Sequence, residues 1–260
     1  MQRPLTWALV LLAVDHQYYW FHRASHRVAF LWATHVVHQQ SEEYNLTTAL
    51  RQSALQAVVA APFYWPLALA GVPPAMFIAA STANTLYQFW IHTRLIRKLG
   101  RLELVLNTPS HHRVHHGIDP KYIDKNYAGI LIVWDRLYGT FVEEAEEPAF
   151  GTVRPLASFS PIWANLADWQ KIALHVRRAT SVGEKVWALF APPEWRPAAM
   201  GGTVVIPEVD HDTRRLYDVE TTRALRRYVV VQFGIIGAVV LRAIFVALGM
   251  TSLMLFSTGC

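Results

Sequence analysis

The sequence predicts a mostly α-helical integral membrane protein that carries a histidine-rich cap on the cytoplasmic side of the membrane. Hydrophobic residues make up 53% of the 260 residues and charged residues only 17%, and the apolar residues fall into long blocks. Such blocks indicate membrane helices or the buried helices of a soluble core. Most of the 12 histidines lie between His16 and His116, so one region of the chain concentrates the imidazole side chains.

The first helix begins with an unbroken apolar run over residues 5–14, and its helical pattern continues to about His26. A basic residue followed by a short apolar run is also typical of a secretory signal peptide. Here the run leads into Asp15, His16 and Gln17 rather than into the small residues of a cleavage site. We therefore interpret this segment as a membrane helix and not as a signal peptide.

Three further apolar segments follow. Residues 54–70 and 75–91 are separated by the turn sequence GVPP, and each approaches the roughly 20 residues that cross a bilayer, which predicts a membrane hairpin. Residues 228–256 are apolar except for Gln232 and Arg242. This last segment is long enough for one tilted span or for a bent pair of half-spans.

Basic residues indicate which ends of the hairpin face the cytoplasm, because cytoplasmic loops near membrane helices accumulate them. The GVPP turn carries no charge, whereas Arg23, Arg27 and Arg51 precede the hairpin and Arg94 and Lys98 follow it. Both ends are therefore predicted to be cytoplasmic, where residues 18–50 and 92–228 would meet. The net charge of +5 then reflects topology and anionic lipid headgroups, and no basic stripe with interleaved aromatic residues indicates nucleic-acid binding.

The histidines of this region recur at helical spacing. Residues three or four apart lie on one face of a helix, so such pairs bring two imidazoles together. Without a metal, so many imidazoles in one region would repel one another or remain unsatisfied whenever they protonate. The pattern therefore predicts a metal site built from eight rings: His22 and His26, His35 and His38, His92, and His112, His115 and His116.

The number of rings indicates two metal ions. Imidazole suits zinc, copper, iron and nickel, but a zinc ion takes four ligands, and eight exceed that number. A zinc protease motif is disfavoured because Arg23 stands in HRASH where the glutamate of H-E-x-x-H would be. Two irons held mainly by histidine favour oxygen activation. The one cysteine, Cys260, is the last residue and is discounted as a ligand, and His16, His175 and His211 are interpreted as structural.

Several segments resemble, in order and spacing, the fatty acid hydroxylase superfamily, also called the sterol desaturase family: YYWFHRASH, HVVHQQSEEYNLTTALRQS, QFWIHT and NTPSHHRVHHG, followed by DKNYAG and WDRLYGTF. The resemblance runs from about Asp15 to Phe141, and the bacterial sterol-desaturase-like and alkylglycerol-oxidising branches look most similar. It implies a helical membrane protein with a cytoplasmic di-iron site. Such enzymes use O2 and an external electron source to hydroxylate, desaturate or oxidatively cleave a lipid.

The resemblance assigns the eight histidines to the family's boxes, with His92 as an additional ligand from the membrane helix. The first box, H-x3-H, falls on His22 and His26, and the third, H-x2-H-H, ends on His115 and His116. The second box departs from the pattern, because Gln39 occupies the position of its last histidine. An amide oxygen is a weaker donor than imidazole, so Gln39 is expected to loosen one iron.

A second departure is Arg27, which stands where relatives often have glutamate directly after the first box. Its positive charge is expected to disfavour metal retention. Other polar residues near the boxes are candidates for a further metal ligand or for hydrogen bonds that orient the ligating rings. They are Gln39, His111, Glu42, Glu43 and Asp124, with Asp119 and Asp135 as further acceptors.

The predicted function is that of a membrane-bound non-haem di-iron oxygenase acting on a fatty acyl, sterol or alkyl ether lipid. The cofactors would be two iron ions and O2. Electrons would come from a redox protein or, as in the alkylglycerol-oxidising branch, from tetrahydrobiopterin, because the sequence contains no flavin, haem or nicotinamide fingerprint. Such a protein would lie in a bacterial inner membrane, or in the endoplasmic reticulum of a eukaryote. The alternative is a diverged, non-catalytic membrane protein of the same scaffold, whose metal site Gln39 and Arg27 impair.

We predict a membrane-embedded catalytic domain over residues 1–141, a cytoplasmic tail over residues 142–227 and a terminal membrane segment over residues 228–260. The first apolar run is short for a membrane span, and members of the resembled family usually have further membrane helices upstream. The chain is therefore expected to be a fragment or to begin at a misplaced start.

Overall fold

A computed structural model describes residues 3–209, 211–212 and 214–257, and over these residues the chain is mostly α-helical, as predicted. Cys260 lies outside the described residues. Extended pairing within them consists of two isolated bridges, Leu106 with Leu131 and Gly117 with Phe150. The described helices are α1 (Pro4–Arg27), α2 (Ala29–Gln39), α3 (Leu46–Leu50), α4 (Gln56–Leu69), α5 (Pro74–Ile91), α6 (Pro109–His115), α7 (Val133–Tyr138), α8 (Pro161–Arg178), α9 (Val182–Phe190) and α10 (Arg223–Ser257), with short 3₁₀ turns at Gly100–Leu104 and Ala198–Met200.

Local sequence chemistry marks many of the helix ends. Proline stands in the first turn of α1, α5, α6 and α8, where its fixed φ suits a helix and its missing N–H costs nothing. Asn45 and Thr48 form a reciprocal capping box at the start of α3. The hydroxyls of Ser160 and Ser181 cap α8 and α9. α7 ends at Gly139, whose φ of 72° lies in the left-handed region that glycine tolerates.

The chain forms two compact units, Met1–Tyr217 and Asp218–Cys260. In the first unit, α1 packs against α2, α4 and α5, and α2 also packs against α8. Val10 and Val14 of α1 share a buried cluster with Leu67, Met76 and Ala80, which come from α4 and α5. The predicted first helix is confirmed, and its C-terminal half lies beside α2. The second unit contains α10.

Only one helix among the described residues, Arg223–Val246, is both long and apolar enough to cross a bilayer. The predicted hairpin is present as α4 and α5, joined through Gly71 at a φ of 79°. However, α4 has only 14 residues, because the chain turns before Gln56 and the helix ends at Leu69. Membrane crossing by α1, α4 and α5 therefore stays a prediction.

The loop of residues 127–131 is held to α1 by the buried carboxylate of Asp15. This carboxylate accepts hydrogen bonds from the backbone N–H groups of Ile130 (2.7 Å) and Leu131 (3.0 Å), from Trp134 Nε1 (2.9 Å) and from Asn84 Nδ2 (2.7 Å). Such a set of donors compensates a buried carboxylate for its lost hydration. The loop thus becomes a fixed support for the histidines described next.

Glycine is required at position 129 of this loop. A Cβ there would lie 2.7 Å from Oδ1 of Asp15 and 2.9 Å from Nδ2 of Asn84. At the start of the loop, Asp135 accepts the backbone N–H groups of Tyr127 and Ala128, each at 2.8 Å. Two buried carboxylates therefore fix the loop, one at its start and one at its end.

Candidate metal centre

The eight predicted histidines come together in two groups of four. In each group, one ring nitrogen from each residue lies within 4.8 Å of the others, and all eight side chains are buried. We call them the first tetrad and the second tetrad. The first tetrad is His22, His26, His35 and His115, and the second tetrad is His38, His92, His112 and His116.

Helical spacing explains how a few elements supply both tetrads. His22 and His26, four residues apart on α1, enter the first tetrad together, as their shared face predicts. His35 and His38 on α2 diverge, one to each tetrad. On α6, His115 belongs to the first tetrad and His112 to the second, while His116 directly follows α6 and His92 directly follows α5.

The ring nitrogens approach one another closely in both tetrads. In the first, Nε2 of His22 lies 3.1 Å from Nε2 of His35. In the second, Nε2 of His92 lies 3.2 Å from Nε2 of His38 and 3.0 Å from Nε2 of His112. Two imidazole nitrogens bound to one ion at about 2.1 Å are about 3.0 Å apart at a right angle and about 3.4 Å apart at a tetrahedral angle. The distances therefore match nitrogens that share an ion.

Backbone carbonyls determine which nitrogen four of the eight rings present. An Nδ1–H that donates to a carbonyl leaves Nε2 as a bare lone pair, which is the tautomer that binds a metal. Four rings have this arrangement: His22 to Tyr127 O (2.8 Å), His38 to Thr48 O (3.1 Å), His92 to Gln88 O (2.7 Å) and His115 to Lys125 O (3.1 Å). In the pair of His38 and His92, both Nε2 atoms are then bare acceptors that face each other.

Protonation does not relieve this repulsion, because burial keeps the rings neutral. Burial lowers the pKa of His38 to about 4. Burial and neighbouring histidines hold the pKa values of His35, His112, His115 and His116 well below their usual range. A cation between two neutral lone pairs about 3 Å apart would remove their repulsion, and clustered imidazoles suit a divalent transition metal. The donor set of each tetrad therefore fits a metal ion.

Several ring nitrogens also lack a hydrogen-bond partner. Nδ1 of His35, Nδ1 of His112 and Nε2 of His116 are buried without one among the described residues. A buried polar atom without a partner is costly in an ordinary core. Nδ1 of His111 is also buried without a hydrogen-bond partner among the described residues, but His111 belongs to neither tetrad. Its ring packs edge-on against Phe141. His111 is therefore a neighbour of the two tetrads and not a member of either.

Gln39 points into the first tetrad. Its amide nitrogen lies 2.7 Å from Nε2 of His115 and 3.4 Å from Nε2 of both His26 and His35. An amide N–H can donate to a bare imidazole nitrogen, and rotating the same amide by half a turn presents its oxygen instead. Gln39 therefore contacts the first tetrad, which contains four histidines without it.

The structure places the other predicted candidates at different distances from the rings. Oδ1 of Asp124 lies 3.8 Å from Nδ1 of His26, while its Oδ2 accepts a 2.5 Å hydrogen bond from Arg27. Glu42 accepts the backbone N–H of Tyr217 at 2.8 Å, and the exposed Glu43 lines the same surface cleft. Asp124 is thus the carboxylate among these three that faces a tetrad.

The two remaining predicted acceptors contact other partners. Asp119 accepts the backbone N–H of Ala149 at 2.9 Å and pairs with His211 at 2.5 Å. Asp135 holds the loop of residues 127–131 at its start. His211, interpreted as structural from the sequence, therefore has a carboxylate partner outside the tetrads.

Three residues shape the centre although the sequence assigned them no role in it. Tyr44 is buried against the second tetrad, with its ring stacked on His92 at 5.8 Å and on Phe150 at 4.7 Å. Tyr127 contributes its carbonyl to His22, and Asp15 holds the loop that carries it. A backbone acceptor leaves no trace in a side-chain motif, whereas an aspartate directly after an apolar run is a visible signal for Asp15.

The chain is similar to known proteins over most of its length. A family model described as fatty acid hydroxylase matches residues 7–140. The chain is 44% identical over 238 residues to an alkylglycerol monooxygenase of Xenopus tropicalis, an alignment that covers 91% of this chain and 53% of that protein. It is also 44% identical over 234 residues to the human alkylglycerol monooxygenase, covering 89% of this chain and 52% of that protein.

A more distant similarity links the chain to an ornithine lipid hydroxylase of Rhizobium tropici, at 27% identity over 150 residues, or 54% of this chain and 43% of that protein. The chain spans about half the length of the alkylglycerol monooxygenases that it matches. No solved structure matches it.

Proposed function

The chain belongs to the fatty acid hydroxylase family, and from this premise we propose that it carries the catalytic centre of an O2-dependent lipid monooxygenase with two iron ions. The observation that carries the proposal is the pair of buried histidine tetrads, each with a donor set suited to one metal ion. Iron, when bound, would supply the activation of O2 that an unreactive C–H bond requires.

In this proposal the two tetrads hold one iron each, and their surroundings keep the rings ready for binding. The carbonyls of Tyr127 and Thr48 fix the tautomers of His22 and His38, so that Nε2 faces the ion. Burial excludes water and keeps the rings neutral, and neutral imidazole is the form that binds a metal. Gln39 would contact the ion of the first tetrad through its amide oxygen.

An alkyl ether lipid is the substrate class that we propose first, because the relatives at 44% identity are named alkylglycerol monooxygenases. The ornithine lipid hydroxylase supports a lipid substrate more generally. We further propose a membrane location with the tetrads on the cytoplasmic side and an external electron donor. The apolar helix Arg223–Val246 supports the membrane location.

The alternative of a non-catalytic protein depends on Gln39 and Arg27, and this arrangement weakens both reasons for it. Gln39 is additional to four histidines in the first tetrad, and Arg27 donates to Asp124 instead of to a ring. Neither residue therefore removes a ligand from the proposed centre.

Iron loading of the detergent-purified chain tests the proposal. We expect about two irons per chain after anaerobic loading, because four imidazoles complete one site in each tetrad. His26→Ala and His92→Ala should each reduce this ratio to about one, whereas His175→Ala, which changes a histidine outside the tetrads, should leave it unchanged. A chain that binds no iron under these conditions would refute the metal centre.

Activity is tested separately. The loaded protein, supplied with an alkylglycerol, O2 and a reductant, should yield either a lipid that has gained one oxygen or, where the carbon next to the ether oxygen is hydroxylated, the aldehyde and glycerol into which that hemiacetal breaks, detected by mass spectrometry. Full iron loading without O2 consumption in the presence of any offered lipid would favour the non-catalytic alternative.

A further inference from the structure

Two amphipathic helices, α8 and α9, lie outside the residues that the family model matches. One face of α8 packs through Ala164, Ala167 and Ile172 toward α2, and α9 packs on α8 and α2. In the sequence these helices fall within the predicted cytoplasmic tail. Their other faces are exposed.

Large apolar side chains are exposed along both helices. Ile162 at the start of α8 is 72% exposed, and Val182 at the start of α9 is 77% exposed. A soluble surface rarely shows so many large apolar side chains together, and such a patch marks an interaction site. The other exposed members are Trp163, Leu166 and Leu174 on α8, and Val186, Trp187, Leu189 and Phe190 on α9.

The two helices also carry a net positive charge, because they contain four basic residues and two acidic ones. Lys171, Arg177, Arg178 and Lys185 contribute four basic groups between residues 161 and 190. The acidic residues of the two helices are both engaged locally: Asp168 accepts from Lys171 at 2.9 Å, and Glu184 accepts the backbone N–H of Thr180 at 2.8 Å. Basic residues beside Trp, Leu and Phe are typical of a helix that lies in the headgroup layer of a membrane.

The start of α8 is fixed beside the start of the apolar helix α4. Oδ1 of Asn165 accepts hydrogen bonds from the hydroxyl of Ser53 at 3.0 Å and from the backbone N–H of Ala54 at 3.1 Å. Directly after this contact, α4 exposes apolar side chains such as Val58 and Trp65. The exposed apolar side chains at the start of α8 therefore lie near the start of α4, where the exposed apolar side chains of α4 also begin.

We propose that α8 and α9 form an interfacial element whose exposed apolar side chains insert into the headgroup region of a bilayer containing anionic lipid. This surface would give the first unit a membrane contact independent of α10. The inference does not depend on the activity proposed above, because it concerns lipid contact and not catalysis.

Site-directed fluorescence in the full chain tests this inference. In a Cys260→Ser background, Ile162→Cys and Val186→Cys carry a nitrobenzoxadiazole label, and the protein is reconstituted into vesicles of phosphatidylcholine and phosphatidylglycerol. Both labels should emit at short wavelength and lose most of their emission when doxyl-labelled lipid is included. A label at Glu146→Cys, on the exposed loop that pairs with Lys121, is the matched control and should keep its emission.

Three results would overturn the proposal. Short-wavelength emission without quenching by doxyl lipid would mean that protein, and not lipid, covers the two helices. Long-wavelength emission at both sites would mean that water covers them. Equal quenching at Glu146→Cys would mean that the quenching is not specific to the apolar faces. Weaker quenching is expected in vesicles of phosphatidylcholine alone, and equal quenching there would remove the role assigned to the basic residues.

Discussion

Gln39 shows how a single departure from a motif changes meaning once the fold is known. By sequence, the second box is one histidine short and one iron is expected to be held loosely. In the structure, His35 and His38 of that box serve different tetrads, and Gln39 joins the first tetrad, which has four histidines without it. The amide therefore adds a polar group to a complete set of rings, and its effect on metal affinity should be measurable at one tetrad alone.

We predict that Gln39→Leu weakens metal binding at the first tetrad by about 10-fold to 100-fold, the usual cost of losing a group that supports metal ligands. Gln39→His should strengthen binding at the same tetrad, because imidazole is the better donor. Competition between the protein and a chelator for Co²⁺ or Fe²⁺, resolved into two classes of site, provides the measurement. Gln170→Leu, which changes an exposed glutamine on α8, is the matched control. Equal changes at both tetrads, or no change at either, would contradict the assignment of Gln39 to the first.

Arg27 is a residue whose charge matters less than the sequence suggests. Its guanidinium is half exposed and donates to Asp124. Exposed ion pairs of this kind typically contribute no more than about 1 kcal/mol to stability. The positive charge beside His26 is thus opposed by a carboxylate, which itself lies 3.8 Å from Nδ1 of His26. The expected loss of metal retention depends on a positive charge without a neighbouring carboxylate. Arg27 has such a neighbour in Asp124.

At the level of elements, the spacing of histidines predicts their faces but not their partners. The i, i+4 pair of His22 and His26 stays together, because one face of one helix determines it. His35 and His38 also share a side of α2, yet they separate because His35 lies beside His22 of α1 and His38 lies beside His92, which follows α5. Assignment of rings to tetrads depends on how the helices pack, and no motif within one helix contains that information.

The loop of residues 127–131 is the element that the sequence leaves least predictable. Its motif, DKNYAG, is recognisable, but its contribution is a backbone carbonyl held in place by two buried carboxylates. Asp15 stands more than a hundred residues earlier in the chain, so only the fold brings the two together. The ligating role of the eight histidines themselves stays a prediction until metal is measured.

We predict that Asp15→Asn lowers the free energy of unfolding by on the order of 2–3 kcal/mol, because an amide NH₂ would face donors that now meet a carboxylate oxygen. The same change should weaken metal binding at the first tetrad more than at the second, since the loop carries the carbonyl that orients His22. Denaturant midpoints in detergent and chelator competition measure the two effects. Asp218→Asn, at an exposed aspartate, should change neither. An unfolding loss with equal weakening of both tetrads would reduce Asp15 to a purely structural role.

At the scale of the whole molecule, the first unit encloses many neutral imidazoles, and this makes its metal-free stability depend on pH. Burial lowers the pKa of His38 and of His111 to about 4, and holds those of His112 and His116 well below the usual range. In the unfolded chain the same rings titrate near 6.5. Between these pH values the unfolded chain binds protons that the folded chain does not. The contribution of the neutral rings to the free energy of unfolding is therefore complete above about pH 6.5 and is lost as the pH falls toward 4.

We therefore predict that the metal-free protein keeps a constant free energy of unfolding above about pH 7 and loses stability steeply below about pH 6.5. Each buried ring contributes a slope of up to about 1.4 kcal/mol per pH unit. Denaturation at a series of pH values in the presence of a chelator measures the slope, and a double variant, His112→Asn with His116→Asn, should reduce it. Bound metal should oppose the loss, because an ion that binds the folded rings stabilises the fold by mass action. A slope that is the same in the double variant would mean that other groups carry the pH dependence. A slope that metal does not alter would mean that the tetrads bind no ion while the protein is folded, and that their buried lone pairs are compensated in some other way.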